Sequence, residues 1–198
     1  MRFMKILSIS PSRISLYGGG SDTEPYISQR GGAVLSMAIN IRQKVILRTG
    51  DDVFEKATTL PYGVDSALTY KILESFKINS MHHATVESSF DGIIGAGLGS
   101  SGAFGVGLVG ACAKSEGFPL DRGAIAQRAW EIESRVKYGG FQDQIASAYG
   151  GLNFITFGKE PHAIRIGCKE GDTLQRWLLL VYIGGERRKD QQRPLQNL

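Results

Sequence analysis

Residues 92–103 read Gly-Ile-Ile-Gly-Ala-Gly-Leu-Gly-Ser-Ser-Gly-Ala, and no other stretch limits the fold of this chain as much. Glycines at 95, 97, 99 and 102 let the main chain turn tightly and approach a ligand closely. The run of small residues from Ala103 to Lys114 reads as a helix, with Ser100 and Ser101 where it begins. A helix N-terminus carries unpaired N–H donors and a partial positive charge, and successive N–H groups in such a turn form an anion-binding hollow. Ahead of the loop, Ala84 to Phe90 alternates apolar and polar, as a half-buried strand does. The unit is strand, glycine loop, helix, and it suits a phosphate.

Three readings of the loop compete. One is a flexible turn followed by a serine N-cap. A second, the phosphate-binding P-loop, requires a lysine after the final glycine, and Ala103 stands there. The third is a dinucleotide fingerprint: Gly97, Gly99 and Gly102 match G-x-G-x-x-G, with Glu116 near the acidic position. Against it, a buried parallel strand would be almost wholly apolar. The chain also leaves the helix through Gly117-Phe118-Pro119 into another helix, not into a second strand.

The rest of the chain mixes strands and helices without strict alternation. Lys5 to Tyr17 reads as strand, bend at Pro11, strand, and is ended by Gly18-Gly19-Gly20. Two further strands are predicted over Val34 to Ile39 and Lys44 to Arg48. Leu68, Ile72, Leu73 and Phe76 have helical spacing within Ser66 to Ile78. Pro119 and Asp121 open a helix with Ile125, Ala129, Ile132 and Val136 on one face, stopped by Gly139-Gly140. A short helix over Asp143 to Tyr149 and strands over Leu152 to Phe157 and Leu178 to Ile183 follow. The pattern predicts an α+β fold, a mostly antiparallel sheet with helices on one face.

With 198 residues, 42% hydrophobic and 21% charged, the chain can bury one well-formed core, and nothing in it marks disorder. Cys112 and Cys168 are too few for a disulfide framework and read as small apolar residues in or near the core. No CxxC or Cys/His cluster suggests a metal site, and His82, His83 and His162 read as surface or strand residues. The start, Met1 to Leu7, is too short and interrupted for a signal peptide, and no apolar run nears the roughly 20 residues of a membrane span. The expectation is a cytoplasmic protein with neither nucleic-acid nor membrane partners.

Gly97-Leu98-Gly99-Ser100-Ser101 resembles the GLGSS core of the ATP-binding motif of GHMP kinases, which include galactokinase, mevalonate kinase and homoserine kinase. That family usually has a proline a few residues earlier, where Ile93 and Ile94 stand here. Pro11 to Asp22 resembles the family's N-terminal motif, a basic residue after a proline and then a glycine-rich turn. The triple glycine with Ser21-Asp22 is similar to the D-glycero-D-manno-heptose 7-phosphate kinase-like sugar kinases. Gly139 to Gly151 resembles the GGxQDQ…GG segment of the same subgroup. The three motifs occur in the family's order.

The resemblance implies an N-terminal domain of the GHMP kinase type (ribosomal protein S5 domain 2-like) over residues 1–177, with 178–198 the start of a truncated C-terminal domain or a tail. It implies a kinase using ATP and Mg²⁺, acting on a sugar or sugar phosphate, a heptose 7-phosphate or a related sugar. Nucleotide would lie on Gly95, Gly97, Leu98, Gly99, Ser100, Ser101 and Gly102. Asp143 stands at the family's proposed catalytic base. Arg13 would offset charge on the phosphoryl group, while Gly19, Gly20, Asp22 and Gln142 would meet the sugar. Ser101 and a glutamate would hold the metal: Glu131 fits the usual separation from Asp143, Glu133 the local Ile-Glu context, and Glu131 is the choice here. Read without the family, Arg13 is a surface residue near a strand end, Asp22 caps a turn, and Asp143 caps a helix.

GHMP kinases are considerably longer, with a third glycine-rich motif in a C-terminal domain that closes the cleft, and this sequence stops about where that domain would begin. The second expectation is therefore a truncated, catalytically incompetent nucleotide-binding remnant. Such a chain would expose apolar surface and favour a homodimer.

Overall fold

A computed structural model describes residues 3–50, 66–78, 84–137, 139–158 and 160–184. Along the chain run β1 (Met4–Tyr17), α1 (Tyr26–Arg30), β2 (Gly32–Thr49), α2 (Ser66–Ser75), β3 (Ala84–Phe90), α3 (Ser100–Ser115), α4 (Arg122–Glu133), α5 (Gln142–Tyr149), β4 (Leu152–Phe157), β5 (His162–Ile166) and α6 (Cys168–Gln175). Every strand pairing is antiparallel. The sheet runs β1-β2-β4-β5, with β3 also on β2.

Period-two burial places one face of the sheet inward. Val45 and Leu47 of β2 and Val86 of β3 are fully buried and pack with Leu68, Ile72 and Leu73 of α2 and Phe104, Leu108 and Val109 of α3. α3 is the central helix, apolar on nearly every side and buried for most of its length. Its glycines bring it down onto the sheet: a Cβ on Gly107 would stand 3.2 Å from both Ser10 Oγ and Val45 Cγ2. A second cluster joins Ala126, Phe141 and Ile145 to Val34, Ile155 and Phe157, and Trp130 stacks on Phe141 with centroids 5.0 Å apart. Helices therefore cover one face, as predicted. The exception is α6, which backs Leu152; a Cβ on Gly171 would lie 3.9 Å from its Cβ.

Several boundaries differ from expectation. Lys5 to Tyr17 is one strand, not two, and so is Gly32–Thr49. Pro11 pairs with Arg42 but Ser12 with Ile39, which leaves Asn40 and Ile41 without partners in the β1–β2 register. This is a bulge: proline has no N–H to give the ladder, so the ladder skips there and continues. Asp121 caps α4 as expected, accepting from Ala124 N at 2.7 Å. The helix ends at Glu133, ahead of Val136, because the next residues tighten into a turn whose amides at 136 and 137 both reach the Glu133 carbonyl at 2.9 Å. Leu178 to Ile183 form no strand; with no ladder partner among the described residues, Leu179 and Ile183 are 86% and 93% exposed. α1, β5 and α6 went unpredicted.

Cys112 is fully buried, and that burial pushes its thiol far above the usual range. His162 opens β5, while His82 and His83, with Met1 and Arg2, lie outside the described residues. No helix among the described residues is long and apolar enough to cross a membrane.

Candidate active site

The glycine loop delivers α3 to the site N-terminus first. Gly95, Gly97 and Gly99 have φ of 83°, 78° and 72°, a region that side chains disfavour, and space for a Cβ is open at the first two. Gly99 is the N-cap and brings no side-chain oxygen to the first-turn N–H groups; its carbonyl accepts from Ala103 N at 3.0 Å.

Arg13, just past the β1 bulge, ties three parts together. Its backbone N donates to the Leu98 carbonyl at 3.1 Å and its guanidinium to the Gly97 carbonyl at 2.8 Å. Nε and a terminal nitrogen meet Asp143 Oδ1 at 2.7 and 2.5 Å. Asp143 occupies the first turn of α5 and abuts the loop: a Cβ on Gly99 would be 3.2 Å from its carboxyl, and one on Gly102 only 2.6 Å from its Cβ. Burial lifts the Asp143 carboxyl above its ordinary range; the paired Arg13 opposes that shift, and the negative charges of Asp22 and Glu133 add to it.

α5 is held from behind. Asp22, 3% exposed, accepts from the Gln142 backbone N and side-chain Nε2, both at 3.0 Å. Gly140 must be glycine, since a Cβ there would fall 1.9 Å from Asp22 Oδ2. Ser15 donates to Gln142 Oε1. Asp22 and Gln142, expected to meet a sugar, are both buried here, and their polar atoms serve each other and the α5 N-terminus. Gly19 and Gly20 lie exposed in the turn after β1, with Gly19 backed by the Ser15 hydroxyl.

The two candidate glutamates part company in the fold. Ser101 of α3 donates to Glu133, not to Glu131. Glu133 is buried and its other oxygen accepts from Gln144 Nε2 at 2.7 Å. Glu131, two residues earlier on α4, turns to Gln127 one turn back. Lys137 completes the group, donating to Ser101 Oγ and lying 3.0 Å from Glu133 Oε1.

Residues 65–151 match the family of the GHMP kinases N terminal domain. Those residues carry a GHMP kinase N-terminal domain. The chain is 30% identical to a D-glycero-alpha-D-manno-heptose 7-phosphate kinase of Campylobacter jejuni, over 75% of this chain and 49% of that protein. A crystal structure of a D-glycero-D-manno-heptose 1-phosphate kinase from Bacteroides thetaiotaomicron resembles it with a TM-score of 0.70 at 23% identity, covering 83% of this chain and 60% of that one. The L. major mevalonate kinase, solved with R-mevalonate, gives 0.66 at 13% identity, over 83% and 53%. At those identities the structures establish the fold. The chain spans about half the length of the curated relative it matches.

Arg13, the loop from Gly97 to Gly102, and Asp143 meet at one place, as the order of the motifs implied. Lys137 and Gln144 escaped the sequence reading. Lys137 stands four residues after Glu133, the spacing of a helical ion pair, and that was the available signal.

Proposed function

We propose that this domain transfers the γ-phosphoryl group of ATP to a hydroxyl of a sugar or sugar phosphate, a heptose 7-phosphate or a related sugar. One observation carries the reading: the Asp143 carboxyl lies against Gly99 and Gly102, at the mouth of a helix N-terminus, with Arg13 bonded to both acid and loop. The name of the curated relative supports the choice of acceptor.

ATP would supply the phosphoryl group, and Mg²⁺ would offset its negative charge. The donors fit such a metal. Ser101 Oγ and the Glu133 carboxylate are hard oxygens that already hold a cation, the Lys137 ammonium. No group of three or more His, Cys, Asp or Glu gathers to hold a metal among the described residues. That suits magnesium, which keeps waters and phosphate oxygens alongside one or two protein ligands. The amides from Gly97 to Gly102 cradle phosphate oxygens at the positive end of α3. Arg13 stabilises charge as it shifts toward the leaving side. Asp143 accepts the proton of the attacking hydroxyl, and a carboxyl raised above its ordinary range is the better matched to that task near neutrality.

A coupled ADP-release assay over a panel of sugars and sugar phosphates tests this. The D143N variant should bind nucleotide about as well as wild type and turn over roughly 10²–10⁴-fold more slowly. Equal turnover would remove Asp143 from the mechanism.

A second reading is a module that binds nucleotide without turnover. It is favoured by the exposed apolar run Trp177 to Ile183. Such a surface calls for a cover, and the curated relative is about twice as long as the stretch shared with it. Stabilisation by Mg·ATP with no ADP release from any acceptor would favour this reading.

A further inference from the structure

Lys137 is the element of the site that no motif foresees. We infer that Lys137 is a tethered internal cation: its ammonium fills the place between Ser101 Oγ and Glu133 Oε1 that a divalent metal takes, and the metal must expel it to bind. This rests on the metal assignment made under Proposed function, and extends it to a residue that would govern how readily the metal enters.

Ser101 lies in the first turn of α3, the positive end of that helix, where a cation is unfavourable on its own. What holds Lys137 there is Glu133, whose side chain is 8% exposed and keeps its other oxygen on Gln144. A buried carboxylate needs a compensating charge, and without a metal this lysine is the charge that reaches it. An ordinary surface ion pair would not draw in a serine hydroxyl from a different helix.

The lysine can also leave. Its own side chain is 40% exposed and hangs from the turn after α4, not from the helix body. It also lines a cavity of about 680 Å³, so an expelled ammonium has room. Glu133, by contrast, is fixed from both sides. Metal entry therefore exchanges one cation for another at a standing carboxylate, and the flexible partner is the one that moves.

The exchange predicts how the protein holds metal before nucleotide arrives. With Lys137 in place, a divalent ion must displace a cation 3.0 Å from the same oxygen, so the nucleotide-free protein binds metal weakly. Lys137→Met keeps the stem and removes the charge. Mn²⁺ titrated into the nucleotide-free full chain, followed by EPR, should bind K137M about tenfold or more tightly than wild type. Lys137→Arg, which keeps the charge, should bind as weakly as wild type. In metal-free buffer K137M should melt lower, since Glu133 is left uncompensated, and Mn²⁺ should raise its Tm more than that of wild type.

Equal Mn²⁺ affinity for K137M and wild type would overturn the exchange while leaving Ser101 and Glu133 as the metal donors. Adding Glu133→Gln to K137M separates the two claims: loss of the gained affinity supports both. Affinity retained in the double variant would place the metal elsewhere and overturn the assignment together with the exchange.

Discussion

Arg13 grips Asp143 through two nitrogens on one carboxylate oxygen, and the same guanidinium reaches the Gly97 carbonyl. The acid and the glycine loop are thus positioned by one side chain from β1. A lysine offers a single ammonium in place of that fork. Arg13→Lys should lower ADP release by about tenfold or more, each lost bond to a charged group being worth about 1.5–3 kcal/mol, with a smaller effect on the melting temperature. A turnover within about twofold of wild type would show that the fork does not matter.

The raised Asp143 carboxyl gives two pH dependences. Only the ionised form can take a proton, so the rate climbs as pH rises through the raised pKa, and the acid limb of kcat/KM should lie above the ordinary value of about 3.9. Stability runs the opposite way. A folded-state pKa above the unfolded one contributes stability below about pH 4 that is lost as pH rises through the raised value. Thermal unfolding of wild type and D143N should therefore agree best at low pH, with the variant gaining relative stability toward neutrality.

Gly102→Ala sets helix preference against the site. Alanine favours a helix over glycine by about 1 kcal/mol. Here its Cβ would stand 2.6 Å from Asp143 Cβ, so α5 or α3 must shift. The expected result is a large loss of turnover, with a stability change far smaller than the loss of rate suggests. Kinetics beside thermal melts would reveal the split.

Asp22 anchors α5 through two hydrogen bonds and is buried. Asp22→Ala should cost about 2 kcal/mol or more by urea unfolding, since it strands the Gln142 donors. If Asp22 met a sugar directly, the loss would appear in KM for the acceptor with stability unchanged.

Much of this was legible in the residues. The loop, its helix and the order of the three motifs predicted that Arg13, the glycines and Asp143 would meet, because glycine runs and helix starts are local signals. Spacing from Asp143 favours Glu131, but helical phase brings Glu133 to Ser101. Ala126, Ala129 and Glu133 follow the i, i+3, i+7 rhythm of the buried face of α4, and that rhythm singles out Glu133. Pro11 read as a break because proline cannot donate to a ladder, but a two-residue skip in β2 absorbs it, and such compensation between distant strands has no local trace. The burial of Asp22 depends on Gln142, far along the chain, and has no local trace.

Gly107 lies five residues beyond Gly102, about 7.5 Å along the axis of α3, and touches neither loop nor acid. Because it lets the helix rest directly on Ser10 and Val45, it sets the height at which the glycine loop is carried over the sheet. A bulky residue there would tip the helix like a shim beneath a beam. The harm would register in an assay as poor nucleotide handling, far from the atom that caused it.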